Sequence, residues 1–407
     1  MRISMNLPSK RWTSFDGWDY NGMRERLQAA LDNIDRPALL RHAERIKGQK
    51  ICFEMIAEDG SLVIARVRLP RHPDVPATVR EEDEAYGITC EIATMEFVRQ
   101  RLSAIPIPCL YAYEGPGSQL AADVGATYML LEGFYGNTLQ DVEFDICNLP
   151  VATQEHIMMQ WTRVQSELAT LTLPQIGSVC SISPSGEPVI GRLAASSGAE
   201  LRDAGPFSRA VAYFTAVANA AAGKLDSSAR LGALVFRDIL DKTTLFGDMS
   251  TVEQFPLNHM DLGTQNILVD DRFNFVAIID WEFAQTAPWQ VNRYPMPFPL
   301  LGLDTEDILR DPSHLAYRNV LRQDVSRRIY RQKFQEAESK FEEEGRPLQG
   351  SFADTLNSSA SRIYACFTSL DRLPQADRGL LREMVHFAFG WSADKVEQYL
   401  WELEQSG

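Results

Sequence analysis

His259-Met260-Asp261-Leu262-Gly263-Thr264-Gln265-Asn266-Ile267-Leu268-Val269 is followed, after Asp270-Asp271-Arg272-Phe273-Asn274, by Phe275-Val276-Ala277-Ile278-Ile279-Asp280-Trp281-Glu282. Ile267 to Val269 and Phe275 to Ile279 are apolar runs of strand length, and the connector is rich in turn residues. The pair therefore reads as a β-hairpin. A hairpin brings Asn266, at the start of one strand, near Asp280, at the end of the other. Asp261 lies in the loop just before. Two acids and an amide converge at one end of the hairpin, a set of hard oxygen ligands suited to a divalent cation such as Mg²⁺. The ordinary reading of an acid at a strand end is a turn cap. The joint pattern of His259, Asp261, Asn266 and Asp280 argues against that reading here.

Working outward, residues 1–46 read as helical, with Met23 to Leu27 in a periodic stretch. Ile51 to Ile56 and Leu62 to Leu69 read as two strands joined by the turn Glu58-Asp59-Gly60-Ser61, and Pro70 ends the second. Glu81 to Glu84 reads as an acidic loop and Glu91 to Leu102 as a helix. Ile105-Pro106-Ile107-Pro108 is barred from helix, because each proline holds its predecessor extended. Strands at Leu110–Glu114 and Thr127–Leu131 complete a small α+β lobe. After Gly136 the pattern turns helical, near 151–171, 207–222 and 228–245, with Gly205-Pro206 as punctuation. A β island spans about 257–282. A long charged helix is expected near 320–345, and two or three more between 350 and 405.

The chain has 407 residues, with 40 Lys+Arg against 55 Asp+Glu, a formal net charge of −15. Its length suggests two or three domains. The acidity argues against general nucleic-acid binding and against an anionic membrane surface, both of which demand basic stripes. No apolar stretch is long enough to span a bilayer. Met1 to Tyr20 carries Asp16 and Asp19 and no apolar h-region, so no secretory signal is read. The six cysteines are scattered with no CxxC, as in reduced thiols of a cytoplasmic protein. Residues 1–135 hold 16 basic and 19 acidic side chains, and residues 136–407 hold 24 and 36. The excess acid belongs mainly to the second part, which permits a cationic or amine-bearing partner there.

The spacing HxDxxxxN, with an aspartate 14 residues beyond the asparagine, resembles the catalytic and metal-binding loops of the protein-kinase-like fold. With IIDWE at the second loop, it is similar to the aminoglycoside phosphotransferase/choline kinase-type family. The run from Phe255 through Glu282 resembles that family's fungal branch. The resemblance covers about Lys47 to Trp289. It implies a two-lobed α+β protein-kinase-like fold, with a small antiparallel-sheet N-lobe and a larger, mostly helical C-lobe. Residues 1–46 would be a helical extension, 47–135 the nucleotide lobe and 136–407 the C-lobe.

The same resemblance implies roles. Asp261 matches the catalytic base, Asn266 and Asp280 the Mg²⁺ ligands, and His259 a residue that holds the loop. Glu282 would help through a water or shape the substrate site. Arg66 stands where the kinase strand lysine contacts the ATP phosphates. Its partner should be a helix glutamate, and Glu91, which shares a face with Met95, Val98 and Leu102, fits better than Glu96. Backbone groups of Glu132 and Phe134 would bind adenine. Relatives carry glycine and asparagine in the nucleotide loop; here Lys47 to Phe53 has one glycine, with Lys50 near the asparagine position. Asp304, Glu306 and Asp307 fall where relatives place acceptor-binding elements, with Tyr294 and Phe298 as walls.

The expectation is an ATP- and Mg²⁺-dependent phosphotransferase acting on a hydroxyl of a small molecule. Two other readings stay open. One is a binding pseudokinase, suggested by the thin glycine loop. The other is a biosynthetic enzyme using the scaffold for a different ATP-dependent reaction. Neither the acceptor nor the oligomeric state is legible. Arg66 could be an ordinary surface arginine on an edge strand, and Glu91 a helix-start carboxylate favoured by the dipole. Trp281 reads as core, and the histidines other than His259 as structural or exposed.

Overall fold

In a computed structural model of the chain, residues 23–47, 60–68, 80–194, 201, 204–223, 227–247, 253–300, 302, 305–372 and 374–406 are described. The elements run α1 (Met23–Asp32), α2 (Arg36–Lys47), β1 (Leu62–Val67), α3 (Glu81–Arg101), β2 (Leu110–Glu114), α4 (Gln119–Val124), β3 (Tyr128–Gly133), β4 (Asn137–Thr138) and α5 (Leu139–Val142). They continue α6 (Val151–Ala169), β5 (Thr172–Leu173), β6 (Ser178–Ile182), β7 (Pro188–Gly191), α7 (Ala210–Ala222), α8 (Ser227–Lys242), β8 (Phe255–Asn258), β9 (Ile267–Val269), β10 (Phe275–Ile278) and β11 (Gln285–Thr286). The last are α9 (Thr305–Arg310), α10 (Tyr317–Glu343), α11 (Phe352–Thr355), α12 (Ser359–Phe367), α13 (Asp377–Phe389) and α14 (Ala393–Ser406). The result is a mixed α/β chain with small antiparallel sheets and many helices.

Contacts divide it into two compact units. The first holds residues 1–85, 105–144 and 264–279; the second holds 86–104, 145–263 and 280–407. In the first unit the sheet order is β1-β3-β2, all antiparallel, with Arg66 opposite Met129. Strand alternation places Val63, Ala65 and Val67 on the face that packs with Ala38, Leu39 and Ala43 of α2 and with Val124, Tyr128 and Leu130. The His42 ring nitrogen Nδ1 bonds the Tyr128 hydroxyl at 2.7 Å inside this layer. Gly125 ends α4 at φ +83°, and a Cβ there would meet the Asn33 carbonyl at 2.5 Å, so only glycine lets α1 and α4 meet this closely. A second small sheet, β10-β9-β4, carries the expected hairpin.

The second unit is built on helix pairs with aromatic cores. Trp161 of α6 meets Tyr330 of α10 edge-on at 5.8 Å, and Phe334 stacks on Phe352 at 4.5 Å. Phe214, Phe236, Phe246, Tyr364 and Phe367 join α7, α8 and α12. Burying such rings stabilises by about 1.5–3 kcal/mol each, and α6, α7, α8 and α10 fall close to the helices the sequence places near 151–171, 207–222, 228–245 and 320–345. The sheet β11-β8-β5 also lies in this unit, as does the hairpin β6-β7.

Several expectations need correction. Glu81 to Glu84 is the first turn of α3, not a loop. Four acids at a helix N-terminus complement the dipole, and Asp83 accepts from the Arg80 backbone N–H at 3.2 Å. Glu91 is consequently a mid-helix residue rather than a helix-start carboxylate. Tyr294 and Phe298 are buried against Tyr330. The strand expected at Ile51–Ile56, together with Lys50 and Asp304, lies outside the described residues. The free thiols Cys90 and Cys147 are pushed up by burial to about 12 and about 11, as inert core groups are. Among the described residues no helix is long and apolar enough to cross a membrane.

Candidate active site

Strand β8 ends at Asn258, paired to Gln285 of β11. The chain then turns sharply. Met260 adopts φ +63°, a left-handed conformation that non-glycine residues rarely take. Its N–H donates to Asn258 Oδ1 at 2.7 Å, an Asx-type bond that stabilises the turn. Asn258 Nδ2 donates in turn to Asn292 Oδ1 at 2.8 Å, and Asn292 Nδ2 to the Trp289 carbonyl at 2.9 Å. Ser361 of α12 donates its hydroxyl to the Asn292 carbonyl. The turn before Asp261 is therefore tied by side chains to α12 and to the 289–292 segment, all within the second unit. After the turn, the Gly263 N–H closes onto the Asp261 carbonyl at 2.8 Å. Asp261 is left half-buried between two tight turns.

His259 is 1 % exposed and packs its ring against Trp281, itself 1 % exposed, with centroids 4.6 Å apart. Trp281 is core, as its sequence position suggests. Asp280 precedes it at φ +64° and heads the 3₁₀ turn Trp281–Phe283 without a side-chain bond capping that turn. Glu282 is half-buried on the same turn. Among the described residues four non-glycine residues have positive φ, and Met260 and Asp280 of the motif account for half of them. Strained backbone of this kind, of order 1–3 kcal/mol per residue, clusters at functional sites.

In the first unit, Asn266 is buried at 4 % exposure and closes the hairpin, its carbonyl accepting from the Ile279 N–H at 3.0 Å. The hairpin thus exists in the register expected, Ile278 opposite Ile267. Arg66 is exposed on the β1 face opposite the α2 layer. Glu132 donates its N–H to the Cys109 carbonyl at 2.8 Å, and its carboxylate accepts from the Cys109 N–H at 3.1 Å. The Phe134 carbonyl accepts from the Gly136 N–H at 3.0 Å. In the second unit, Glu91 is 4 % exposed on the same face as Met95, Val98 and Leu102, all buried, whereas Glu96 is exposed and takes the Gln100 amide. Asp307 is exposed on α9 and paired with Arg310 at 3.1 Å.

Sequence reading passed over Asn258, Asn292 and Arg293. Arg293 donates to Thr368 Oγ1 and is close enough to Asp261 to feel its charge. No spacing rule marks these residues. Among the described residues no group of three or more His, Cys, Asp or Glu could hold a metal ion. Asn266 carries an amide oxygen and Asp280 a carboxylate oxygen, each a hard donor of the kind Mg²⁺ takes.

No family model matches the sequence, and no curated protein matches it. Two similar solved structures are aminoglycoside phosphotransferases. The apo form of a thermostable mutant of aminoglycoside phosphotransferase APH(4)-Ia is 17 % identical, covers 86 % of this chain and 88 % of its own, and has a TM-score of 0.37. An aminoglycoside phosphotransferase from Alicyclobacillus acidocaldarius is 15 % identical, covers 93 % of this chain and 95 % of its own, and has a TM-score of 0.30.

Proposed function

We propose that the chain is a cytoplasmic small-molecule kinase that transfers the γ-phosphoryl group of ATP to a hydroxyl. The observation that carries the reading is the strained, braced turn that presents Asp261, beside a second strained turn at Asp280. Such positions persist only where surrounding structure over-determines them. Here Asn258, Asn292 and Ser361 brace the first.

In this reading the acceptor oxygen bonds to the γ-phosphorus as the bond to the β–γ bridging oxygen breaks. ADP leaves, and the hydroxyl proton passes to Asp261. Asp261 orients the hydroxyl, and His259, locked against Trp281, keeps the loop in place. Asn266 and Asp280 would hold Mg²⁺, which when bound neutralises charge on the transferred group. Arg66 and Glu91 would form the phosphate-contacting ion pair, Lys50 the phosphate cover, and backbone groups of Glu132 and Phe134 the adenine contact. Glu282, Asp304 and Asp307 would lie toward the acceptor. Residues 47–135 would then act as the nucleotide lobe and 136–407 as the catalytic lobe.

The test is a mass-spectrometric metabolite screen with Mg·ATP, using Asp261→Ala as control. A metabolite gaining one phosphate with wild type and not with Asp261→Ala is the expected result. Equal turnover by both proteins would remove Asp261 as the base. An amide or ester product without phosphate would point to the biosynthetic alternative.

A further inference from the structure

From Tyr86 onward α3 belongs to the second unit, as does the β6–β7 hairpin, and the two are joined at two points. Near the start of the helix, the Tyr86 hydroxyl donates to the Arg192 carbonyl at 3.0 Å. The Arg192 guanidinium lies over the same ring, 4.3 Å from its centroid. Burial holds the Tyr86 pKa above the ordinary tyrosine value, so the hydroxyl stays a donor. At the end of the helix, Arg101 Nη2 donates to the Gly186 carbonyl at 3.1 Å and to Glu187 Oε1 at 2.7 Å. The helix between Tyr86 and Arg101 is about 22 Å long. Extended chain from Gly186 to Arg192 covers about 20 Å. The lengths match, so β7 runs alongside α3 in the opposite direction with both ends pinned.

The first pin leaves no spare room. A Cβ on Gly191 would stand 2.3 Å from the Tyr86 hydroxyl oxygen, with Cys180 Sγ next at 3.1 Å. Glycine is what lets the ring come down onto the strand. The base of the hairpin is fixed as well. The Gly177 N–H donates to Thr286 Oγ1 at 3.0 Å, and the Thr286 N–H donates back to the Gly177 carbonyl at 3.0 Å. Thr286 Oγ1 donates in turn to the Gln175 carbonyl at 2.7 Å. Thr286 is fully buried on β11, opposite Leu257 of β8. One end of this strand pair leads into both strained turns, at Met260-Asp261 and at Asp280. Glu91 lies on α3 between the two pins and is buried. A buried carboxylate is costly unless its polar surroundings stay in place, so a small shift of the helix is felt there.

We infer that the β6–β7 hairpin positions Glu91 relative to the Asp261 and Asp280 turns. Tyr86, Gly191 and Arg101 hold the helix to the hairpin, and Thr286 holds the hairpin to the strands that carry both turns. These are positioning residues, acting through Glu91. The inference rests on the phosphotransfer reading above, in which Glu91 belongs to the nucleotide-phosphate contact. It goes beyond that reading in giving control of Glu91 to a hairpin far along the chain. A run of contacts is not by itself coupling, so the test asks whether the hairpin acts through Glu91.

In the full-length chain, Gly191→Ala, Tyr86→Phe/Gly191→Ala, Glu91→Gln and Gly191→Ala/Glu91→Gln are compared with wild type. Hydrogen exchange reads the α3 amides, and calorimetry reads Mg·ATP binding. Gly191→Ala should speed exchange across residues 86–101 and weaken Mg·ATP binding about 10-fold, as small misplacements of a functional group do. Without the Tyr86 hydroxyl, the nearest atom to the new methyl is Cys180 Sγ at 3.1 Å. Tyr86→Phe/Gly191→Ala should therefore recover most of the protection and of the affinity. Glu91→Gln should weaken Mg·ATP binding about 10–100-fold, and adding Gly191→Ala to it should cost little more. Arg101→Met removes the exposed pin, whose ion pair adds little to stability. It should give a smaller change of the same sign, and it keeps the test open whatever Gly191→Ala does to folding.

Gly191→Ala costing as much in Glu91→Gln as in wild type would overturn the inference, as would unchanged Mg·ATP affinity in spite of a loosened α3. A loss that Tyr86→Phe fails to relieve would overturn it too, since the hydroxyl contact would not be the pin. Mg·ATP binding with the expected coupling, but no phosphorylated product in the metabolite screen, would sink the kinase reading and leave the hairpin's hold on Glu91 standing.

Discussion

The two ends of the β9–β10 hairpin place an aspartate and a left-handed residue at comparable positions, and they use them differently. At the turn end, Asp270 is spent on its own loop. Its carboxylate accepts from the Arg272 N–H at 2.8 Å, the Asn274 N–H at 2.9 Å and the Asn274 amide at 2.9 Å, around Phe273 at φ +60°. At the open end, Asp280 sits at φ +64° and does not cap the 3₁₀ turn it heads. The same residue type at a strand end can thus cap its own turn or sit in strained backbone at the head of a turn it does not cap. Local hydrogen bonds, not sequence spacing, tell the two apart. Substitutions at the two ends, and in the loop that feeds the open end, should diverge accordingly.

The largest effect belongs to Asp261. Asp261→Ala should lower kcat by about 10²–10⁴ or more while calorimetric Mg·ATP affinity stays close to wild type. A variant with unimpaired turnover would show that the loop beside the open end is no more catalytic than the turn end. Next comes Asp280 itself. Asp280→Ala should weaken Mg·ATP binding at least about tenfold, measured by calorimetry. If Mg²⁺ dependence and affinity were untouched, Asp280 would join Asp270 as a structural acid and the contrast between the ends would collapse.

Much of this was legible beforehand, for reasons that individual residues show. The hairpin register could be read because Ile267, Val269 and Ile278 must all be buried, and a one-residue slip would expose them. The inward face of α3 could be read because Glu91, Met95, Val98 and Leu102 repeat at helical spacing. The start of α3 was misread because four consecutive acids resemble a loop unless their fit to a helix N-terminus is weighed. An aromatic-proline run is equally compatible with a pocket wall and with core, and the contact of Phe298 with Tyr330 joins residues too far apart in the chain for any local pattern to show. The brace from Asn258 to Asn292 joins residues 34 apart through two amides, and no local pattern announces such a contact. Arg293 inherits its position from that brace and was missed with it.

Asn258 tests whether the open end is held from outside the hairpin. Asn258→Ala removes both the Met260 acceptor and the Asn292 donor, and should lower kcat about 10–100-fold, since small misplacements of a reacting group cost that much. It should also destabilise the fold by about 1–2 kcal/mol. Asn258→Asp keeps the acceptor for the Met260 N–H and loses the donor to Asn292, so its kcat should fall between the two. The ATP KM should be unchanged in both. A variant that lost stability but kept full kcat would reduce the brace to packing.

The smallest effect should come from the turn end, and it should be confined to stability. Asp270→Ala should leave kcat and both KM values unchanged and cost about 1 kcal/mol by urea unfolding at neutral pH. Burial pulls the Asp270 pKa up, but the Asn274 side chain, the Asn274 and Arg272 N–H groups and the Arg272 charge outweigh it and hold it below the ordinary carboxylate value. A carboxylate with a depressed folded pKa contributes stability that is fully present above its unfolded value. As pH falls through the ordinary carboxylate range the unfolded chain takes the proton first, and the contribution fades until the folded group is protonated too. The stability gap between wild type and Asp270→Ala should therefore shrink steadily as the pH is lowered from 7 toward about 3. A gap that stayed constant would mean the turn is held by its backbone alone, and a loss of kcat would mean that the two ends of the hairpin are not separable after all.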